Sequence, residues 1–216
     1  MILDARAVVD PLASETSVWV LQHASMNTEA AFVVHLTGSG EDSGHTLTFD
    51  LLIAGSDGCT GTVKETGTGS FQLTFDGSTV WAKPDDEFWR AATGVTDPAQ
   101  LAEVEGKYLT ASAGGSGLGA IASLCQLNAA LKAFTSMPAD SPGIDKGPVT
   151  RISGQRVLKV NDTKDSEYAY VTDTAQPRLL QVVDTSSGGG ELSFGYPGTP
   201  VAITPPPASE VVSVGQ

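Results

Sequence analysis

Polar and apolar residues alternate along two long stretches of this chain, and a block with helical spacing separates them. Phe32, Val34 and Leu36 alternate with Val33, His35 and Thr37. Leu47, Phe49, Leu51 and Ile53 then alternate with Thr46, Thr48, Asp50 and Leu52. A period of two is the mark of a half-buried strand. The segment Gly38 to Gly44 between these runs reads as the turn of a hairpin. A third strand follows from Cys59 to Lys64. Gly67-Thr68-Gly69 turns the chain into Phe71, Leu73 and Phe75, and Asp76-Gly77, a strong hairpin signal, turns it again into Thr79 to Lys83. Before the first strand, residues 1–28 read as a helical lead-in, with Ser14 and Glu15 opening a helix through Val18, Leu21 and Met26.

The middle of the chain changes period. Pro84-Asp85-Asp86 starts a short helix over residues 87–92, with acids in its first turn. Asp97 caps a second helix that has Pro98 at its first position. Lys107-Tyr108-Leu109 is a short extended piece. The longest helix predicted runs from Leu118 to Phe134, where Leu118, Ile121, Leu124, Cys125, Leu127, Leu131 and Phe134 form an apolar face. Strands resume around Thr150–Ile152, Arg156–Val160, Glu167–Val171, Arg178–Val183 and Glu191–Phe194. Pro205-Pro206-Pro207 cannot sit in a central strand, so the chain leaves the sheet there. Strands, then helices, then strands is the α+β pattern. We expect a single domain over residues 1–216, with strands over ~30–83, a helical insert over ~85–136 and strands over ~148–204.

Composition narrows the function. A 40% hydrophobic content in 216 residues is enough for one sizeable core. The formal net charge is -13, from 25 acidic and 12 basic residues. Nucleic-acid binding needs clustered Lys and Arg to release counterions, and no such cluster occurs. The same charge disfavours an electrostatic hold on anionic lipid. No segment approaches the roughly 20 apolar residues of a membrane-spanning helix. The start, Met1 to Arg6, lacks the basic and apolar regions of a signal peptide. The protein is therefore either cytosolic or the mature part left after a targeting segment, and the second reading is preferred.

Few residues suggest chemistry. Cys59 and Cys125 are two buried thiols if the protein is cytosolic and one disulfide if it is exported. A bridge would close a loop of about 66 residues and restrict the unfolded chain by about 3–5 kcal/mol. His23, His35 and His45 are scattered. His35 and His45 could approach across the first hairpin, with Asp50 as a third ligand, but the expected metal content is none. Gly114-Gly115-Ser116-Gly117 is not a nucleophile elbow, and the other Gly-rich stretches lack a phosphate loop's Lys-Ser/Thr tail. Asn161-Asp162-Thr163 matches a glycosylation sequon by composition alone. No nucleophile, base and acid assemble, so we expect no enzyme, no catalytic residue and no cofactor. The aromatic residues concentrate in the first half of the chain. They make either an ordinary core or a concave sheet face only partly filled by helices, which would leave an apolar cavity.

Several motifs in order resemble a known group. They are Cys59-Thr60-Gly61-Thr62-Val63, then Asp76-Gly77-Ser78-Thr79-Val80-Trp81-Ala82-Lys83-Pro84-Asp85 with Phe88-Trp89, then Gly106-Lys107-Tyr108-Leu109 and Leu124-Cys125-Gln126-Leu127. The ending, Phe194-Gly195-Tyr196-Pro197, Pro200-Val201 and Pro205 to Val212, also fits. Together they span roughly residues 14–214 and resemble actinobacterial cell-envelope lipoproteins of the LppX/LprG (LolA-like) family. The resemblance implies a strongly curved antiparallel half-barrel with helices on its concave side. It implies a Cys59–Cys125 disulfide, because the pair falls on that group's cysteine positions. It also implies a lipobox cysteine and signal peptide upstream, hence an envelope-anchored protein outside the cytoplasm whose membrane contact is an N-terminal lipid anchor. Members of the wider class carry lipids, lipoproteins or other acylated ligands.

The expected function is therefore an extracytoplasmic binding or carrier domain, a monomer, for a hydrophobic ligand, acylated ones included. Phe32, Val34, Leu47, Phe49, Leu51, Phe71 and Leu73 would line the site from the sheet, and Leu118 and Ile121 from the insert. The alternative is a protein-interaction or sensor module of the same fold with a filled core and no small-molecule ligand. A cavity above a few hundred Å³ separates the two.

Overall fold

The computed structural model describes residues 10–42, 44–55, 58–93, 96–114 and 118–212. Residues 1–9, the start of the expected lead-in, lie outside these. The first helix, α1 (Ser17–Glu29), is capped by Thr16, whose Oγ1 accepts from the Trp19 N–H at 3.1 Å. Ser14 and Glu15 precede the cap, so the helix starts later than the pattern suggested. Its sides bury Val18, Val20, Leu21, Ala24, Ser25 and Thr28, while Met26, expected on the apolar line, is exposed.

Five strands follow: β1 (Val34–Asp42), β2 (His45–Ile53), β3 (Cys59–Glu65), β4 (Gly69–Phe75) and β5 (Thr79–Pro84). The expected Gly38–Gly44 turn is mostly strand. Gly38 pairs with Phe49 and the ladder continues to Asp42 opposite His45. Gly38 is there for close packing rather than for turning, since a Cβ at that position would lie 2.4 Å from the Phe49 ring. The insert holds α2 (Asp86–Thr93) and α3 (Pro98–Val104). In α3 the Asp97 cap accepts from the Ala99 N–H, as expected. The extended piece near Lys107 is a true strand, β6 (Tyr108–Ser112), paired with β5.

The long helix over Leu118–Phe134 does not form as one piece. The chain makes α4 (Leu118–Ile121), a 3-10 turn (Ala122–Cys125), α5 (Leu127–Ala130) and α6 (Lys132–Thr135). Gln126 at φ -106°, ψ 86° breaks the axis between them. Helical spacing placed the apolar residues correctly along the chain, and Ala122, Cys125, Leu127, Leu131 and Phe134 are all buried. It could not show that the chain must bend at Cys125 to reach its partner on the sheet. Tertiary contact here overrides a propensity that is weak in any case.

Strands β7 (Ile144–Ile152), β8 (Gln155–Asp162), β9 (Glu167–Thr172), β10 (Leu179–Asp184), β11 (Glu191–Gly195) and β12 (Val211–Val212) complete one sheet. Its order is β12-β6-β5-β4-β3-β2-β1-β11-β10-β9-β8-β7. The two strand blocks join where β1 pairs with β11. All pairings are antiparallel except β12 on β6. The proline segment does leave the sheet after β11, but the chain returns at the opposite edge as β12, which a composition rule for prolines cannot foresee. Pro148 lies in edge strand β7, where the register slips between Lys146 and Val149; an edge is where a missing N–H is tolerated.

The sheet is a curved half-barrel that does not close, with helices against its concave face. α1 packs on β7, β9, β10 and α6, α2 packs on β4 and β5, and α4 on β5 and β6. The start of the C-terminal strap is fixed by Tyr196. Its hydroxyl donates to the Leu179 carbonyl at 2.5 Å and lies 2.9 Å from the Thr28 Oγ1. Burial pushes its pKa up to about 12, so the phenol stays neutral.

Candidate functional site

The cavity of interest lies between β2–β6 and the helical insert. Its volume is about 490 Å³ and its walls are Leu47, Val63, Phe71, Ala82, Phe88, Leu109, Leu118, Ile121 and Leu124, with Glu65 and Thr68 as the two polar members. Register explains why the sheet residues converge. Val63 stands opposite Phe71, Leu73 opposite Ala82, and Leu47 opposite Glu65, so neighbouring rows put their inward residues on one face. Glu65 and Thr68 flank the β3–β4 turn and mark one end of the space.

The insert is held over this row at two points. At one end Cys59, the first residue of β3, is bonded to Cys125, with Cα atoms 5.5 Å apart. The disulfide is thus present as the resemblance implied. At the other end Asp85 joins α2 to β4. Its Oδ1 accepts from the Phe88 N–H at 2.8 Å and its Oδ2 from the Ser70 N–H and hydroxyl at 2.9 and 2.7 Å. Gly69 makes this approach possible, at φ +113°, since a Cβ there would meet the Phe88 nitrogen at 2.4 Å.

Partial burial of the Asp85 carboxyl acts to raise its pKa, but the hydrogen bonds from Phe88 and Ser70 outweigh it and hold the pKa below the ordinary carboxylate range. A depressed folded-state pKa contributes stability that is present above the unfolded value, 3.8, and is lost as pH falls through the lower folded value. Asp85→Asn should therefore cost about 1 kcal/mol at neutral pH, the usual worth of a helix cap. The difference from the parent should shrink below the carboxylate range, as read by thermal unfolding across an acid pH series.

The nine residues expected from sequence divide four ways. Leu47, Phe71, Leu118 and Ile121 line the cavity. Val34, Leu51 and Leu73 are fully buried core. Phe49 is half-buried and borders a separate shallow recess with Thr37, Gly38 and Glu191. Phe32 is 69% exposed, because β1 begins at Val34 and the alternation was counted two residues too early. The expected list missed Val63, Ala82, Phe88, Leu109, Leu124, Glu65 and Thr68. Val63 and Ala82 could have been found by carrying the hairpin registers across from Phe71 and Leu73. Phe88 and Leu109 depend on how the insert folds back and had no such signal.

His35 and His45 do not meet across the first hairpin. His35 stands opposite Leu52 and His45 opposite Asp42, at the two ends of the same hairpin. His35 instead contacts Asp50 at 2.7 Å on the exposed surface, and His23 stacks on Trp19 with centroids 3.8 Å apart. Among the described residues no three His, Cys, Asp or Glu side chains gather as a metal site.

The fold is that of two solved mycobacterial proteins. The crystal structure of the lipoprotein LppX from Mycobacterium tuberculosis matches with a TM-score of 0.56 and 12% identity, covering 87% of this chain and 98% of that one. LprF from Mycobacterium bovis matches with a TM-score of 0.56 and 15% identity, covering 88% of this chain and 96% of that one. No protein-family model and no curated protein matches the sequence. The half-barrel expected from the motif resemblance is thus the fold found.

Proposed function

We propose that this chain is an extracytoplasmic binding or carrier domain, not an enzyme, and that it holds a hydrophobic, acylated ligand between β2–β6 and the insert. The observation that carries the reading is the cavity of about 490 Å³ whose wall is hydrocarbon in nine of eleven residues. A volume in the range of small-molecule sites, with two convergent polar groups at one end, is the usual form of a ligand pocket. It also weighs against the alternative of a filled-core interaction module. The disulfide supports an oxidising compartment. The shared fold with LppX and LprF supports a carrier role by analogy of architecture.

Delipidated protein incubated with an envelope lipid extract should give a stoichiometric adduct in native mass spectrometry. Leu118→Trp, which pushes an indole into the cavity, should remove that adduct while leaving the thermal transition cooperative. Absence of any adduct with the parent protein would count against the reading.

A further inference from the structure

A second, open recess lies in the other half of the sheet, where Gln155, Gln176, Arg178, Leu180 and Tyr196 meet. We infer that this recess binds a phosphate group through the Arg178 guanidinium. The chain has five arginines, scattered in sequence, and the strand ladder gathers three of them here. Arg151 of β7 stands opposite Arg156 of β8. The Asp173 N–H donates to the Arg156 carbonyl at 3.0 Å, and the Thr172 N–H donates to the Arg178 carbonyl at 2.8 Å. The one acid in this row, Asp173, is committed to Arg156 at 2.6 Å. Asp145, Asp162, Glu167, Asp184 and Glu191 lie toward the opposite end of β7–β11. Asp50 is held by His35 at 2.7 Å, on the strands beyond Gly195. Glu29, in the last turn of α1, borders separate recesses together with Gly55. A chain of net charge -13 thus carries a local excess of positive charge at one end of its sheet.

Of the three arginines, Arg178 is the one with free donors. Arg156 serves Asp173, and the Arg151 Nη1 donates to the Gly154 carbonyl at 2.6 Å. Arg178 is half-buried, and among the described residues its guanidinium has no ion pair and no hydrogen bond. It lies over the Tyr196 ring, 4.9 Å from the centroid. A guanidinium set on an aromatic face keeps its in-plane fork of N–H groups for an oxyanion. Both partners are fixed before a ligand arrives. The Tyr196 hydroxyl is tied to Leu179 and Thr28. The Arg178 N–H donates to the Thr172 Oγ1 at 2.9 Å, the Thr174 Oγ1 to the Gln176 carbonyl at 2.9 Å, and the Asn27 Nδ2 to the Pro177 carbonyl at 2.8 Å. Binding therefore orders little that is not ordered already. The donor set favours phosphate over carboxylate. The fork alone satisfies a carboxylate's two oxygens, whereas the Gln155 and Gln176 carboxamides supply N–H donors for the further oxygens of a phosphate. The negative charge of the rest of the chain opposes an anionic bilayer, which favours a soluble phosphate ester over a lipid head.

The test titrates the full chain at neutral pH and low ionic strength with inorganic phosphate, glycerol phosphate and acetate, read by amide chemical shifts. Both phosphates should give saturable shifts centred on residues 172–178, Gly195 and Tyr196, with a dissociation constant of about 1 mM. Acetate should bind at least about fivefold more weakly. Arg178→Met should weaken phosphate binding at least about tenfold. Arg178→Lys, which keeps the charge and loses the fork, should weaken it about threefold or more. Arg151→Met, which removes a charge of the same row outside the recess, should change it by less than about threefold. Thermal unfolding of each variant checks that the fold is retained. Cosedimentation with phosphatidylglycerol vesicles separates the sources: binding lost in Arg178→Lys assigns the phosphate to a lipid head, and binding of glycerol phosphate without vesicle binding assigns it to a soluble ester. No saturable shift at millimolar phosphate, shifts centred elsewhere, or equal losses in Arg151→Met and Arg178→Met overturn the site. Acetate equal to phosphate overturns the ligand class. The recess lies apart from the apolar cavity, so each of these results leaves the carrier reading as it stands.

Discussion

Replacing Cys59 and Cys125 together by serine should lower the free energy of unfolding by about 4 kcal/mol. The cysteines are 66 residues apart in sequence. Cross-linking a loop of that length removes conformational entropy from the unfolded chain, and the loss grows with the logarithm of loop length. The closed loop contains β4, β5, α2, α3, β6 and α4, so nearly the whole insert is tethered to the start of β3. The native state needs that tether. The insert folds as short helical pieces of four to eight residues, each too short to be stable alone; α2 and α4 meet the sheet, whereas α6 packs on α1. With urea slopes of roughly 1–3 kcal/mol per molar, the unfolding midpoint should fall by at least about 1.3 M. Reduced parent protein should match the double variant. A shift of under about 1 kcal/mol in both would mean that the unfolded chain gains little freedom when the loop opens. Hydrogen exchange should show where the tether acts: amides of α4 and α5 should lose more protection than those of β8 and β9, which lie at the other end of the sheet.

The sequence read differently in its two halves for a physical reason. In β2 and β4 one face is buried and the other is not, so the period of two was visible and Leu47, Phe71 and Leu73 could be placed on the inner face. Near Gly38 the same rule failed, because a glycine that makes room for Phe49 looks like a glycine that turns the chain. Phe32 failed for the converse reason: an apolar residue two positions outside a strand extends the alternation without sharing the face. The cavity was harder still. Leu51 and Leu73 are solid core while Leu47 and Phe71 face free space, and all four are large apolar residues on the same inward rows. What separates them is how far the broken insert covers each row, and that depends on bends at Gln126 and Leu131 that helical periodicity does not encode. The motif resemblance supplied what periodicity could not, namely the pairing of Cys59 with Cys125 and the curvature of the sheet.

Arg156→Met should cost about 3 kcal/mol, although it replaces a partly exposed side chain by one of similar length. Arg156 lies on β8 and Asp173 just beyond β9, where the strands part. The Asp173 side chain is wholly buried. Its Oδ2 accepts from the Arg156 Nε at 2.9 Å and from Nη2 at 2.6 Å, while Oδ1 has no hydrogen-bond partner among the described residues. The carboxylate therefore depends on one guanidinium for both its charge and its hydrogen bonds. Removing that guanidinium leaves an isolated buried charge, and the cost of this exceeds the net worth of the intact pair, whose formation also required desolvation. The asymmetry predicts a particular double-mutant cycle. Asp173→Asn in the Arg156→Met background should recover most of the loss, because the amide carries no charge and can satisfy its own oxygen through local backbone donors. Equilibrium unfolding of the parent, both single variants and the double variant measures the coupling. If Arg156→Met alone costs under about 1 kcal/mol, Asp173 finds another donor or water when the arginine is gone, and the ion pair is an ornament of the strand end rather than the support of a buried charge.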